Sequence, residues 1–287
     1  MTPRTTELTT FFATNPDAIV CELTSVRGSS PREQGTFMLV GPAAIFGTIG
    51  GGALEYMVID HARRLIASGR AEEAMDVPLG PEIGQCCGGR VEVSLRYVDA
   101  AIRERLAALV MAEDAALPHV FVFGAGHVGR ALAQMLALLP VRLEVIDTRR
   151  EELDLLPQTI ASRAVAMPEA VVRTAPQGSS YVILTHDHAL DFLIAQEALA
   201  RTDAPYVGMV GSETKRARFS SWFKTEGGDA KALERLVLPI GQQGLGDKRP
   251  EVIAALAAAE IMVHIGQREA EIARARTPKS LGVVIGR

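Results

Sequence analysis

The segment VFVFGAGHVG at residues 120–129 decides the fold of the second half of the chain. A G-x-G-x-x-G pattern follows directly on a strand-forming apolar run and opens an amphipathic segment, which predicts a tight strand-to-helix turn. Gly124 permits the turn, Gly126 lets a diphosphate approach the backbone, and Gly129 allows close packing of the helix on the strand. The amide groups at such a helix start attract an anion, although the same turn can also serve packing alone.

Apolar periodicity predicts alternating strands and helices from this turn onward. The predicted strands are 120–123, 143–146, 164–166, 181–184 and 206–209, and the predicted helices are 128–139, 190–200, 215–224 and 251–265, followed by a polar tail at 268–287. This alternation is typical of an α/β fold with a Rossmann-type, doubly wound parallel sheet.

The first half of the chain has a different pattern. It predicts strands at 18–26, 37–40, 44–48, 74–79 and 91–97, and helices at 53–68 and 100–112. We therefore expect an N-terminal mixed α/β domain at residues 1–113 and a C-terminal Rossmann-type domain at 118–287, with a linker at 114–118.

Composition excludes several classes of protein. The formal net charge is -4 and no block of Lys or Arg stands out, which argues against a nucleic-acid partner. The three cysteines are an odd number, which is a poor disulfide framework and is typical of a reducing compartment. No signal peptide and no membrane-length apolar run is visible, so we expect a cytoplasmic protein without a membrane partner.

Acidic and histidine side chains follow two of the predicted parallel strands, at the carboxyl edge of the sheet. Asp147 ends the next strand after the glycine turn, where an acidic side chain usually binds a ribose hydroxyl, and His127 lies within the turn itself. His186, Asp187 and His188 follow a later strand at the same edge. They favour polar ligand contacts, proton transfer, a divalent metal, or capping of the following helix by Asp187.

The segment GQCCGG at residues 84–89 is the most unusual in the chain. Flanking glycines favour presentation of the Cys86 and Cys87 thiols, which are soft ligands and sulfur nucleophiles. Two cysteines fall short of a zinc site, and burial as a small core pair is the alternative. Cys21 lies in the middle of a predicted strand, where we expect a core position.

Two further segments of the first half offer donors to an anion. Arg27, Ser29 and Arg32 lie in one turn that can clamp a phosphate or carboxylate, or can be a solvated loop. Gly50, Gly51 and Gly52 precede a helix, which favours close approach of a ligand to the backbone or a structural bend. Glu55, one turn later, is either a ligand contact or a capping carboxylate.

Seven segments, in order, resemble the XdhC/CoxI family of xanthine dehydrogenase accessory proteins. They are GSSPRE (28–33), GTIGGGALE (47–55), GQCCGG (84–89), GAGHVG (124–129), THDHALD (185–191), GSETKRARF (211–219) and PIG (239–241). One departure is Leu238, where relatives often carry a cysteine; it leaves Cys86 and Cys87 as the candidates for exposed thiols.

The resemblance implies a cofactor chaperone rather than an enzyme, with no catalytic residue. Such proteins bind the molybdenum cofactor (molybdopterin), present it for sulfuration by a cysteine desulfurase, and insert it into xanthine dehydrogenase, typically as homodimers. By this resemblance, Cys86 and Cys87 would face the molybdenum or the incoming sulfur, and the glycine turns would hold the phosphate. The alternatives are an NAD(P)-dependent oxidoreductase or a nucleotide-sensing interaction module, with a nucleotide at the Gly124–Gly129 turn.

Overall fold

The computed structural model describes residues 3–70, 72–81, 88–241 and 246–276. The chain divides into two compact units, Met1–Ala116 and Leu117–Arg287. No helix within the described ranges combines the length and the apolar character needed to cross a lipid bilayer.

Five strands and three helices lie among the described residues of the first unit. The strands are β1 (Ile19–Arg27), β2 (Phe37–Val40), β3 (Ile45–Gly47), β4 (Glu72–Pro78) and β5 (Arg90–Tyr97), and the helices are α1 (Pro3–Thr14), α2 (Gly52–Ser68) and α3 (Ala100–Ala116). The strands form one antiparallel sheet in the order β3-β2-β1-β5-β4. Helix α2 ends at Gly69, whose φ of 68° suits glycine at the end of a helix.

Alternation along β1 assigns its side chains to two cores. Cys21 packs with the buried face of α2, whereas Val20 joins the core shared with α1 and α3. This is the period of two that a strand imposes on its side chains. The core position expected for Cys21 is confirmed, and burial raises the pKa of its thiol to about 12.

The second unit contains six strands and seven helices among its described residues. The strands are β6 (His119–Phe123), β7 (Arg142–Asp147), β8 (Ser162–Ala164), β9 (Ser180–Ile183), β10 (Val207–Met209) and β11 (Leu236–Val237). The helices are α4 (His127–Leu136), α5 (Arg150–Leu153), α6 (Pro168–Thr174), α7 (His188–Ala200), α8 (Glu213–Thr225), α9 (Ala230–Leu233) and α10 (Pro250–Arg276).

The six strands of the second unit form a parallel sheet in the order β11-β10-β9-β6-β7-β8. Helices α4 and α10 cover one face, and α6, α7 and α8 cover the other. The predicted doubly wound Rossmann-type fold is therefore confirmed. The strand order reverses between β6 and β9, and ligands of such sheets bind at the carboxyl ends of the strands beside this reversal.

Several predicted element boundaries differ from the structure. Helix α3 runs to Ala116, so the predicted linker at 114–118 begins inside a helix. The end of α3 is held against α1, because buried Asp114 accepts a hydrogen bond from the Thr5 hydroxyl. Strand β8 ends at Ala164, and α10 extends to Arg276 through residues predicted as a polar tail. The sequence does not predict helices α1, α5, α6 and α9 or strand β11. Helix α1 is rich in threonine, a weak helix former, and is stabilised by packing of Leu8, Phe11 and Phe12.

Candidate functional site

The glycine turn lies at the reversal of strand order, where Gly124 permits the turn and Gly129 permits close packing, as predicted. Gly124 has a φ of 113°, and a Cβ there would lie 2.3 Å from the Leu184 carbonyl oxygen, beyond the end of β9. A Cβ on Gly129 would lie 1.9 Å from the carbonyl oxygen of Gly124. A Cβ on Gly126 would meet no atom of the described chain within 4 Å, so the space above this backbone is open.

The first turn of α4 is available to an anion. Gly126 is the N-cap residue, and no side chain within the described ranges caps the helix. His127 is exposed at the same helix start. The helix dipole and the amide groups of a first turn without a side-chain cap both favour negative charge, so this turn suits a phosphate group.

Asp147 is bound to the turn rather than left open to a ligand. Its Oδ2 accepts from the Ala125 amide at 2.7 Å and from Arg149 Nη2 at 3.1 Å, and its Oδ1 accepts from the Arg149 amide at 3.0 Å and Nε at 3.2 Å. Burial opposes ionisation of Asp147, but the hydrogen bonds from Arg149 and Ala125 outweigh it and hold the pKa of the carboxyl below its usual range.

A carboxylate offers about four lone-pair positions, and Asp147 uses all of them within the protein. The ribose contact predicted for Asp147 therefore requires Arg149 to move first. Arg149 also lies 3.5 Å from Glu152, whose other oxygen accepts from Arg130 at 2.6 Å. These groups form one polar network along the turn.

The segment at residues 185–191 extends this carboxyl edge at the next strand. Asp187 is the N-cap of α7 and accepts from the Ala189 amide at 2.7 Å, so the capping alternative is the role that the structure shows. His186 and His188 are exposed beside it. Across the described part of the chain, no group of three or more His, Cys, Asp or Glu side chains is arranged to hold a metal ion.

Two residues of this edge were not among the predicted site residues: Asp191 and Lys215. Asp191 is fully buried and forms an ion pair with Lys215, which is 7% exposed. Both lie in motifs noted in the sequence, each in the first turn of a helix that follows a strand. That placement is the sequence signal that could have identified Asp191 and Lys215 as site residues. Their residue types alone do not distinguish them from other Asp and Lys residues of the chain.

In the first unit, three predicted segments converge. A Cβ on Gly89 would lie 2.0 Å from the Ser29 carbonyl oxygen, and one on Gly28 would lie 3.2 Å from the Gly89 Cα. A Cβ on Gly50 would lie 2.6 Å from the Pro31 Cγ. The turn at 28–32, the glycine loop at 47–52 and the end of the GQCCGG segment are thus in direct contact. Cys86 and Cys87 themselves lie outside the described residues.

The glycine loop before α2 is occupied by a carboxylate of the chain. Glu55 Oε2 accepts from the Thr48 hydroxyl at 2.6 Å, the Gly51 amide at 3.0 Å and the Ile49 amide at 3.3 Å. The capping alternative for Glu55 is therefore what the structure shows. Gly50, Gly51 and Gly52 all have positive φ, as this loop requires, but its donors serve Glu55 rather than an open phosphate site.

The arginines of the first unit differ in their pairing. Arg27 forms an exposed ion pair with Glu92 across β1 and β5. The Arg32 side chain is exposed and forms no ion pair with any residue that the structure describes. Because an exposed pair contributes little, about 0 to 1 kcal/mol, either guanidinium can exchange its present surroundings for a ligand anion.

Comparisons with known proteins identify a family model for each of the two units. The model of the XdhC and CoxI family matches residues 13–77, and the model of the XdhC Rossmann domain matches residues 120–261. Uncharacterized protein YqeB of Escherichia coli strain K12 is 27% identical over 258 residues, which cover 85% of this chain and 42% of that protein. The chain therefore spans less than half the length of this curated relative.

A solved structure shows the same fold along nearly the whole chain. The crystal structure of a xanthine dehydrogenase from Bacillus halodurans matches with a TM-score of 0.74 and 18% sequence identity, over 97% of this chain and 98% of that one. The family models fall on both units, in the order that the sequence motifs predict. The chain belongs to the XdhC and CoxI family.

Proposed function

We propose that this protein is a carrier of the molybdenum cofactor that serves the maturation of xanthine dehydrogenase. It holds the cofactor as cargo, presents it for sulfuration by a cysteine desulfurase, and inserts it into the enzyme. Family membership supports a role connected with xanthine dehydrogenase. The observation that carries the proposal is the contact of the 28–32 turn with Gly89 and with the 47–52 loop, which places the turn that contains exposed Arg32 next to the end of the cysteine segment.

The described residues fit the phosphate of such a cargo at one place. None of the described side chains caps the α4 turn, and the space above Gly126 is open, which suits a terminal phosphate. The loop at 47–52 does not fit a phosphate in its present state, because Glu55 uses its amides and a second anion would be repelled. In this proposal Cys86 and Cys87 face the molybdenum or the incoming sulfur, and the chain functions as a homodimer.

The bound cargo supplies the oxidised metal and its dithiolene ligands, while the protein supplies binding and protection. In the second unit, the dipole of α4 favours the phosphate. In the first unit, Arg32 has no ion-pair partner among the described residues, so its positive charge can attract an anion. Thiolates near the metal favour retention of a soft ligand such as sulfur. An NAD(P)-dependent enzyme or a nucleotide sensor is less well supported, because Asp147 has no acceptor left for a ribose hydroxyl while Arg149 holds it.

The test is to purify the protein from cells that make the cofactor and to measure molybdenum and pterin per chain. We expect both in wild type, and a loss of at least fivefold in the double variant Cys86→Ala/Cys87→Ala. Cys21→Ala is the matched control, because its thiol is buried in the core. Wild-type protein without molybdenum and pterin, or a double variant that retains both and still activates xanthine dehydrogenase, would overturn the proposal.

Gly126→Ala tests the phosphate position separately. The added methyl group meets no atom within 4 Å, so the turn should fold, but it occupies the space that the phosphate needs. Gly266→Ala in α10 is the control, since its Cβ also meets nothing within 4 Å. Cofactor content should fall in Gly126→Ala alone; equal content in both variants would exclude this turn as the phosphate site.

A further inference from the structure

The carboxyl edge of the parallel sheet contains a buried ion pair. Asp191 of α7 is fully buried and Lys215 of α8 is 7% exposed. Lys215 Nζ donates to Asp191 Oδ2 and, at 2.8 Å, to the Val210 carbonyl oxygen just beyond β10. The pair therefore connects the loops that follow two adjacent strands, β9 and β10.

The path of the lysine side chain is built into the backbone. Lys215 lies in the first turn of α8, and its side chain runs back over Gly211, where a Cβ would lie 2.6 Å from the Lys215 Cδ. Any larger residue at 211 would displace the aliphatic part of Lys215. The ammonium group is thus directed inward toward Asp191 rather than outward to solvent.

The other oxygen of Asp191 binds Thr185, a half-buried residue at this edge. Asp191 Oδ1 accepts from the Thr185 amide at 2.9 Å and from the Thr185 hydroxyl at 2.7 Å. The same hydroxyl accepts from the Asp187 amide at 3.2 Å. Thr185 also borders the glycine turn, since a Cβ on Gly124 would lie 3.0 Å from the Thr185 amide nitrogen.

Stability alone does not explain such a pair. Removing two charges from water costs about as much as their attraction returns, and an apolar pair of similar volume is often as stable or more so. What an ion pair provides and an apolar pair does not is directional hydrogen bonds at fixed positions. Here those bonds end on Thr185, beside the glycine turn at 124–129.

We propose that Lys215 and Asp191 are positioning residues: they fix the Thr185 hydroxyl and the loop at 185–187 beside the glycine turn, where the phosphate-bearing end of the cargo binds. This inference rests on the proposed function. Lys215 orients Asp191, Asp191 orients Thr185, and Thr185 with its loop borders the site. The pair itself does not touch the cargo.

The main test is the double variant Lys215→Met/Asp191→Leu, which replaces the ion pair with apolar side chains of similar size. We expect thermal stability close to that of wild type, but at least fivefold less molybdenum and pterin per chain after purification from cells that make the cofactor. The control is Arg173→Met/Glu197→Leu, which removes an exposed ion pair between α6 and α7 and should leave cofactor content unchanged.

Thr185 provides a second test that does not depend on the folding of the double variant. Thr185→Val replaces the hydroxyl with a methyl group and should lower cofactor content, whereas Thr185→Ser keeps the hydroxyl and should retain the wild-type content. If wild type carries the cofactor and either Thr185→Val or the folded double variant carries as much, the positioning role is wrong. If wild type carries none, the proposed function fails instead.

Discussion

A methyl group added at two glycines of the same turn should change stability very differently. A Cβ on Gly129 would lie 1.9 Å from the Gly124 carbonyl oxygen, whereas one on Gly126 would meet nothing within 4 Å. Real Cβ contacts are essentially never shorter than 3.0 Å, so Gly129→Ala must move backbone by about 1 Å where α4 packs on β6.

The expected magnitudes follow from this geometry. Overpacking against backbone costs about 3 kcal/mol or more, and the better helix propensity of alanine returns about 1 kcal/mol. Gly129→Ala should therefore lower the free energy of unfolding of the second unit by at least about 2 kcal/mol. Gly126→Ala exchanges glycine for a poorer N-cap residue and should cost less than about 1 kcal/mol.

The assay is urea unfolding followed by the fluorescence of Trp222. The chain has one tryptophan, and it lies in α8 against Phe192 and Phe219, so its signal reports on the second unit. The Gly129→Ala transition should shift to lower urea while the Gly126→Ala transition stays near that of wild type. Equal midpoints for the two variants would refute the assignment of distinct roles to the two glycines.

Three further predictions concern buried and ionised groups. Lys215→Met leaves the charge of Asp191 buried without its cation, so it should destabilise the second unit by about 3 to 5 kcal/mol in the same urea assay. Arg173→Met, which breaks an exposed ion pair, should cost less than about 1 kcal/mol. Equal effects of the two variants would contradict the burial argument. The hydrogen bond from Arg201 lowers the pKa of Asp203 to about 2, so its contribution is present above the unfolded pKa and is lost as pH falls from about 4 to about 2. Asp203→Asn should therefore lower the free energy of unfolding at pH 5 by roughly 2 kcal/mol, seen as a lower urea midpoint. The difference from wild type should vanish near pH 2, and a difference that persists there would be inconsistent with this titration. Iodoacetamide at pH 8 should leave Cys21 unmodified in the native protein, because burial raises the pKa of its thiol to about 12. Mass spectrometry should find Cys86 and Cys87 modified if they are presented as proposed. Labelling of Cys21 in the native protein would show that its strand opens.

The predictable part of this protein is local. The glycine turn at 124–129, the alternation of strands and helices, and the placement of Asp147, His186 and Asp187 at the carboxyl edge all follow from short patterns along the chain. These features depend on backbone conformation and on side-chain period, which neighbouring residues largely determine. Helix α1 is not predicted by local pattern, because its stability comes from packing in the core rather than from the helix propensity of its residues.

The amino-acid sequence by itself determined the Rossmann turn, the carboxyl edge and the motifs that place the chain in its family. Only the tertiary structure decided which groups meet: Asp147 with the Ala125 amide, Lys215 with Asp191, and the Gly50 backbone with the Pro31 ring. These partners lie on different elements, 22 and 24 residues apart in the first two cases, so their meeting depends on how strands and helices pack. Short-range pattern predicts which donors and acceptors are present, but burial and distance decide which of them remain free for a ligand.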